Sequence, residues 1–394
     1  MMKKTLFSEI DRVLPKLVKM RRDLHAHPEI AFEEVRTAEV ASRYFKTVGL
    51  EVTRGVAKTG VVALLRGALP GPTLAIRAEL DAVPIQERGD FPHASKKPGI
   101  MHACGHDGHL AIALGTAKIL SLMKDRLRGN VKFILQPADE GRGGAREMLK
   151  AGVLQESPRI EAILGIHSSP EVPLGKVALM DGKSVLIDSF KIRIQGRGGH
   201  PAFPQTVIDP IFLSAQVING LQSLKGRFGG SAIILSTIQG GGAPNVIPDS
   251  VEIHGTIQIE NSGHREDLRR ALESIVAGVC GAYGGRCQVS YEDGTSMPRQ
   301  DVDFAGHISS AAAMLWGPDH LQNLGYPAPG TEELSPFLEH VPGAMCLLGL
   351  TPEGTEGTPL HSPYFDFNDQ ALAHGIQIAV VTTFHYLNGN NLSL

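Results

Sequence analysis

Residues 131–141 read VKFILQPADEG, an apolar run interrupted only by Lys132, then a proline, two adjacent carboxylates and a glycine. Such a run bounded by a turn signal predicts a buried strand, and the polar loop that follows puts its chemistry at the strand's end. Working outward, AREMLKAGVL (145–154) restarts a helical pattern, and AILGIH (162–167) is a second apolar run, closed by a histidine. Upstream, EVTRGVAKTGVVALLRG (51–67) and PTLAIRAELDAVPI (72–85) read as strands, and a helix from Gly108 to Lys124 follows the cluster HACGHD. This alternation predicts a layered α/β/α domain with its functional groups gathered on one rim of the sheet.

The first 46 residues read as helix, because Ile10, Val13, Leu14, Leu17 and Val18 recur at the spacing of an amphipathic stripe and Val35 to Phe45 repeat it. Between Ser184 and Glu292 the order becomes strand, helix, strand, strand, helix, strand: a βαββαβ unit able to form a small two-layer domain. After it come a helix (303–315), the apolar strand AMCLLGL (344–350) and a last helix from Asp369 to Tyr386. The economical reading is one domain inserted into another: residues 1–183 and 294–394 form the first, and 184–293 the insert.

Composition excludes several classes. With 38 Lys and Arg against 41 Asp and Glu there is no basic surplus to bind nucleic acid or an anionic membrane, so a small-molecule ligand is expected. No stretch reaches the ~20 apolar residues of a membrane span, and the N-terminal residues interleave charge with apolar side chains instead of forming an export signal. Four scattered cysteines are too few for a disulfide framework, which points to free thiols and a cytoplasmic location.

The densest polar cluster is His102-Ala-Cys104-Gly-His106-Asp107-Gly-His109. A lone His or Cys is more often a satisfied core residue than a ligand, but three His, one Cys and one Asp within eight residues favour metal binding. Asp139-Glu140 stands where VKFILQ runs out; alone it would read as a solvated acidic turn. His167 closes its strand, and His361 lies in GTPLHSPYFDFND (357–369). Cys104, His106, Glu140, His167 and His361 together are five donors at strand ends. Five exceed one tetrahedral zinc and suit two ions sharing a ligand. Glu79 and Asp81, at the end of another strand, could orient a ligating imidazole.

In order along the chain, LHAHPEIAFEE, RAELDAVP, HACGHDGH, LQPADEG, GRGGHPAFPQ, GAPNVIPD, TEELSPFLEHVPGAMCLLG and HSPYFDFND resemble the M20 family of metallopeptidases and amidohydrolases. The similarity is to its branch of hippurate hydrolases and N-acyl-amino acid (auxin-conjugate) amidohydrolases. It implies Cys104 as the bridging thiolate of a two-metal site completed by His106, Glu140, His167 and His361, and Asp139 as general base. It also implies a homodimer whose inserted domain acts as lid, with His200 reaching the partner's site to steady the oxyanion and Asn245 helping to hold substrate. Zinc, manganese, cobalt and nickel all suit such a donor set.

Three positions depart from the family pattern. Asp139 is one methylene shorter than the usual Glu. Gln258 stands where relatives carry an Arg for the substrate's α-carboxylate, with Glu260 nearby, and Gln205 replaces a frequent His. The expected activity is hydrolysis of an amide in an N-acyl amino acid or related small N-acyl compound. The alternatives are an amidase for substrates lacking an α-carboxylate, and a metal-binding relative with weak catalysis. Thr331 joins Asn245 and Gln258 as a position whose surroundings would narrow the leaving group.

Overall fold

A computed structural model describes residues 2–140, 143–180, 186–259, 262–292, 300–324 and 333–389. The chain divides into two compact units, Met1–Gly182 with Pro298–Leu394, and Lys183–Met297. In chain order the first unit begins with α1 (Met2–Ala26), α2 (Val35–Thr47), β1 (Glu51–Val56), β2 (Gly60–Arg66), β3 (Leu69–Glu79) and α3 (His106–Leu122). It continues with β4 (Arg128–Gln136), α4 (Gly144–Lys150), β5 (Ala162–Pro173) and β6 (Val177–Met180). The second unit holds β7 (Leu186–Gln195), α5 (Pro210–Gln222), β8 (Ala232–Gln239), β9 (Ser250–Ile259), α6 (Arg265–Ala282) and β10 (Arg286–Glu292). The first unit then resumes with α7 (Val302–Trp316), β11 (Leu321–Leu324), α8 (Ser335–Leu338), β12 (Gly343–Thr351) and α9 (Ala371–Asn388).

Among the described residues the first unit has an eight-stranded mixed sheet in the order β1-β2-β4-β3-β5-β12-β6-β11. Its central strands β4, β3, β5 and β12 run parallel. Both faces are covered, which is why these strands read as unbroken apolar runs. Alternation survives within them: Leu74, Ile76 and Ala78 of β3, and Ala162, Leu164 and Ile166 of β5, face the core under α1, α3, α7 and α9. Ala75 and Ile163 face a second core with Met148 of α4 and Phe337 of α8. These cores on opposite faces make the layered α/β/α arrangement.

The second unit is the βαββαβ module, an antiparallel sheet in the order β10-β7-β9-β8. One face packs Phe190, Ile192, Ile194, Ile253 and Ile257 against Leu213 and Val217 of α5 and Leu272 and Val276 of α6. Asp188 is fully buried there and accepts hydrogen bonds from Arg265 (2.8 and 2.7 Å) and Arg269 (2.7 Å).

Element boundaries differ from the sequence reading in several places. The N-terminal helical stretch breaks over residues 27–34, where Pro28 cannot continue a helix and Ile30 bridges to Ala82. Helix α3 starts at His106 rather than Gly108. Strand β5 does not close at His167 but continues to Pro173. No described helix is long and apolar enough to cross a membrane.

Candidate metal centre

Because β4, β3, β5 and β12 are parallel, the loops after their C-terminal ends share one edge of the sheet. That edge collects Asp81 after β3, Asp139 and Glu140 after β4, and His361 in the long loop after β12, while His167 projects from within β5. Cys104 comes from the loop entering α3, and His106 is the first residue of that helix. Gly105 sits between them with φ +83°, a left-handed conformation that other residues adopt at a cost, and a Cβ there would lie 2.5 Å from Ser168 Oγ. The glycine thus lets the Cys104 and His106 side chains converge beside β5. The main-chain N–H of His361 donates to the Ala103 carbonyl at 2.8 Å, tying the two loops together.

Two triads of donors share Cys104, and a further group, His106, Asp139 and Glu140, overlaps both. Cys104, His106 and His167 make one, and Cys104, Glu140 and His361 the other, each with its candidate ligand atoms within 4.8 Å of one another. Sγ of Cys104 is 3.6 Å from His167 Nε2, and His361 Nε2 is 3.2 Å from Glu140 Oε1. His106 Nδ1 donates to the Asp81 carbonyl (2.8 Å) and His167 Nδ1 to the Ser168 carbonyl (2.9 Å). A carbonyl can only accept, so each ring carries its proton on Nδ1 and directs the Nε2 lone pair inward, as metal-ligating imidazoles do. His106 Nε2 is buried and without a hydrogen-bond partner, 3.7 Å from Asp139 Oδ2 and 3.9 Å from Glu140 Oε1. A buried lone pair facing a thiol and two carboxylates is what a divalent cation satisfies, so these residues fit the metal pair implied by the family resemblance.

The donors also act on one another through their charges. Burial would raise the Cys104 thiol, but His167 and His106 outweigh it and hold its pKa at about 6. Burial likewise opposes ionisation of Glu140, yet the hydrogen bond from His361 and the nearby His106 bring it to about 2. His361 is raised to about 10 by its hydrogen bonds to Cys104 and Glu140. Its side chain is half-exposed, so the centre opens to solvent on that side.

Asp81 is fully buried and supports the centre twice: besides holding His106, its Oδ2 accepts from the Glu140 main-chain N–H at 3.0 Å. Glu79 acts one step further out than the sequence suggested. Its imidazole partner is His109, whose Nδ1 donates to Glu79 Oε2 (2.8 Å) while Nε2 accepts from the Ser168 main-chain N–H (2.8 Å). Both ring nitrogens of His109 are thereby engaged, and burial lowers its pKa to about 4, so it is a neutral brace for the strand beside His167.

The sequence reading missed two buried arginines. Arg77 of β3 donates to Glu79, to Asp139 and, at 2.9 Å, to Gln136 Oε1. Arg21 of α1 pairs with Asp107 (3.2 Å), Asp366 (2.6 Å) and Asp369 (2.9 Å), joining the start of α3 to the loop after His361. For Arg77 a signal existed: it is a charge inside the apolar run TLAIRAEL.

In the second unit, Gly199 bridges to Ile247, which sets the loop of His200 beside that of Asn245; both side chains are exposed. Gln258 is not brought to them. It pairs with Ile187 at the far end of β9, whereas Ser250, where the loop enters β9, pairs with Gln195. Eight residues of strand separate Ser250 from Gln258, about 27 Å. Gln205 is exposed in a short 3₁₀ turn. Glu260 and Thr331 lie outside the described residues.

Comparison with known proteins gives the family. Residues 75–383 match peptidase family M20/M25/M40. The chain is 37% identical to an N-acetylcysteine deacetylase of Bacillus subtilis, with 91% of this chain and 93% of that protein aligned. It is 34% identical to the IAA-amino acid hydrolase ILR1-like 2 of Arabidopsis thaliana, over 97% of this chain and 87% of that one. Its fold matches a crystal structure from Bacillus subtilis described as a dinuclear metal binding peptidase from the M20 family, with TM-score 0.75 and 34% identity over 96% of this chain and 99% of the other. The chain belongs to peptidase family M20/M25/M40 and is a hydrolase of that family.

Proposed function

We propose that this protein is a two-metal amidohydrolase that cleaves the amide bond of N-acyl amino acids or related small N-acyl compounds. The observation that carries the proposal is the pair of donor triads sharing Cys104, with two of their imidazoles locked by main-chain carbonyls. Cys104, His106, Glu140, His167 and His361 would hold two divalent ions, zinc, manganese, cobalt or nickel. When bound, such a pair supplies a water of lowered pKa and polarises an amide carbonyl.

The chain's own groups do the rest. Asp139, beside the donors and mostly buried, accepts the water's proton and returns it to the leaving nitrogen. In this reading His200 steadies the tetrahedral oxyanion and Asn245 helps hold the substrate, with a homodimer supplying His200 from the partner subunit. A cytoplasmic location fits the free thiols. A second reading rests on Gln258: an amide side chain cannot make the charge-assisted fork that an arginine gives a carboxylate, which favours substrates whose amine product lacks one.

The test is a panel of N-acyl amino acids and carboxylate-free amides, assayed after chelation and reconstitution with each metal. Metal-dependent hydrolysis is expected, with Asp139→Ala lowering kcat by ~10²-fold or more. Two bound ions with no turnover of any substrate would overturn the proposal. Preference for carboxylate-free amides would select the second reading, and preference for free α-carboxylates would remove it.

A further inference from the structure

Arg77 is a conspicuous cost in the middle of the first unit. It lies on β3 between two parallel neighbours, opposite Ile134 and Gly165, and is 1% exposed. A guanidinium removed from water is tolerated only when its donors are matched in direction as well as charge. Here they are matched on three sides. Nε donates to Gln136 Oε1, Nη1 to Glu79 Oε1 and Nη2 to Asp139 Oδ1. The frame around it is itself fixed: Gln136 Nε2 donates to Glu333 Oε2 at 2.9 Å, and the same oxygen accepts from the Ala145 main-chain N–H at 2.8 Å. Glu79 spends its other oxygen on His109.

Charge alone does not account for this arrangement. Glu79 suffices to neutralise Arg77, so adding Asp139 places a second carboxylate in a buried site and gains location. With Oδ1 of Asp139 held by Nη2, the other oxygen, Oδ2, is the one turned toward His106 Nε2, at 3.7 Å. A short carboxylate fixed through one oxygen has little freedom left at the other.

We infer that Arg77 is a positioning residue for the reaction: it holds Asp139 through Oδ1 so that Oδ2 is the atom that takes the proton. This rests on Asp139 being the base of the amidohydrolase reading. It also explains how an aspartate, a methylene shorter than glutamate, serves at that position, since its reach is set by the arginine behind it and not by its own length.

The experiment compares wild type, Arg77→Lys and Gln136→Met as full-length protein reconstituted with manganese. Arg77→Lys keeps the charge for Glu79 but loses the planar fork. Gln136→Met removes the acceptor of Nε, at similar volume, together with the Gln136 Nε2 hydrogen bonds to Glu333 (2.9 Å) and to Asp139 Oδ1 (3.5 Å). Because misplacement of a reacting group by about 1 Å can cost ~10²-fold, Arg77→Lys is expected to lower kcat by ~10–100-fold, and Gln136→Met by less. KM should stay within about twofold, since neither change touches substrate binding. Metal stoichiometry by mass spectrometry and thermal midpoint should match wild type. Unchanged kcat in folded, metal-loaded Arg77→Lys would overturn the inference, and so would a loss of bound metal parallel to the loss of kcat, which would make Arg77 a support of the donors. If Arg77→Lys fails to fold, Gln136→Met decides by the same criteria. Wild type without metal-dependent turnover would instead defeat the amidohydrolase reading, so the two failures are distinguishable.

Discussion

Removing Cys104 should weaken both metal positions together, because it is the one donor common to the two triads. Cys104→Ala deletes a single buried sulfur, a loss of about 1 kcal/mol of packing in a unit whose two cores do not depend on it. Metal binding should suffer far more. If an ion on three protein donors gains ~10 kcal/mol and the donors share it evenly, one donor is worth ~3 kcal/mol, or ~10²-fold in affinity at each position. The assay is bound-metal stoichiometry by native mass spectrometry across a chelator-buffered series of free metal. Cys104→Ala should move both steps of the titration, whereas His167→Ala should move one and His361→Ala the other, since each belongs to a single triad. A Cys104→Ala titration that overlays wild type, or that loses one ion and leaves the other intact, would refute the shared-donor geometry.

Two further outcomes follow from groups around the centre. His25 is fully buried; burial lowers its pKa, but Asp107 and Glu87 outweigh this and raise it to about 9. A raised pKa gives stability that is complete below pH 6.5 and is lost as pH rises through about 9. Wild type should therefore lose about 3 kcal/mol over that window relative to His25→Gln. Urea denaturation followed at the single tryptophan, Trp316 of the first unit, reads this directly; equal pH slopes in the two proteins would exclude it. For Gly105→Ala, the left-handed backbone and the approach to Ser168 Oγ should cost ~1–2 kcal/mol in the same assay. Displacing Cys104 and His106 should also weaken metal binding ~10-fold or more, and wild-type behaviour in both measurements would contradict the role given to the glycine.

The sequence made the central sheet legible because β2, β3, β4, β5 and β12 are buried on both faces and so appear as apolar runs that need no partner to be recognised. The second unit was legible for the opposite reason: one covered face writes strict alternation into β9, where Val251, Ile253, Ile257 and Ile259 are core. The break at residues 27–34 was signalled by Pro28 but masked by apolar residues that continue the helical period on either side. Within HACGHDGH the sequence reading chose His106 as the ligand without a physical account of His109. Sequence cannot show that His109 spends both nitrogens on Glu79 and Ser168 while His106 keeps one lone pair facing the donors. The partners of Arg21 lie up to 348 residues away, at Asp369, so that network exists only once the chain is folded.

The near-neutral total of charges was uninformative for a related reason: a sum does not show that the charges that matter are gathered in a few buried clusters. Arg77 is set against Glu79 and Asp139, and Arg21 against Asp107, Asp366 and Asp369, so these charges act on one another at short range inside the first unit. The donor set is the informative exception. Of its five members three are histidines, so with neutral imidazoles the set carries only two negative charges, on Cys104 and Glu140. Two divalent cations held by it would remain under-neutralised even after Asp139 is counted, and in a largely buried site that excess is poorly screened. An excess of positive charge favours ionised water and the oxyanion of a tetrahedral intermediate over their neutral precursors. Carboxylates in place of His106, His167 and His361 would add negative charge and quench that field. If the five donors hold two ions as proposed, imidazole at three of the five positions suits the centre to hydrolysis rather than to metal storage.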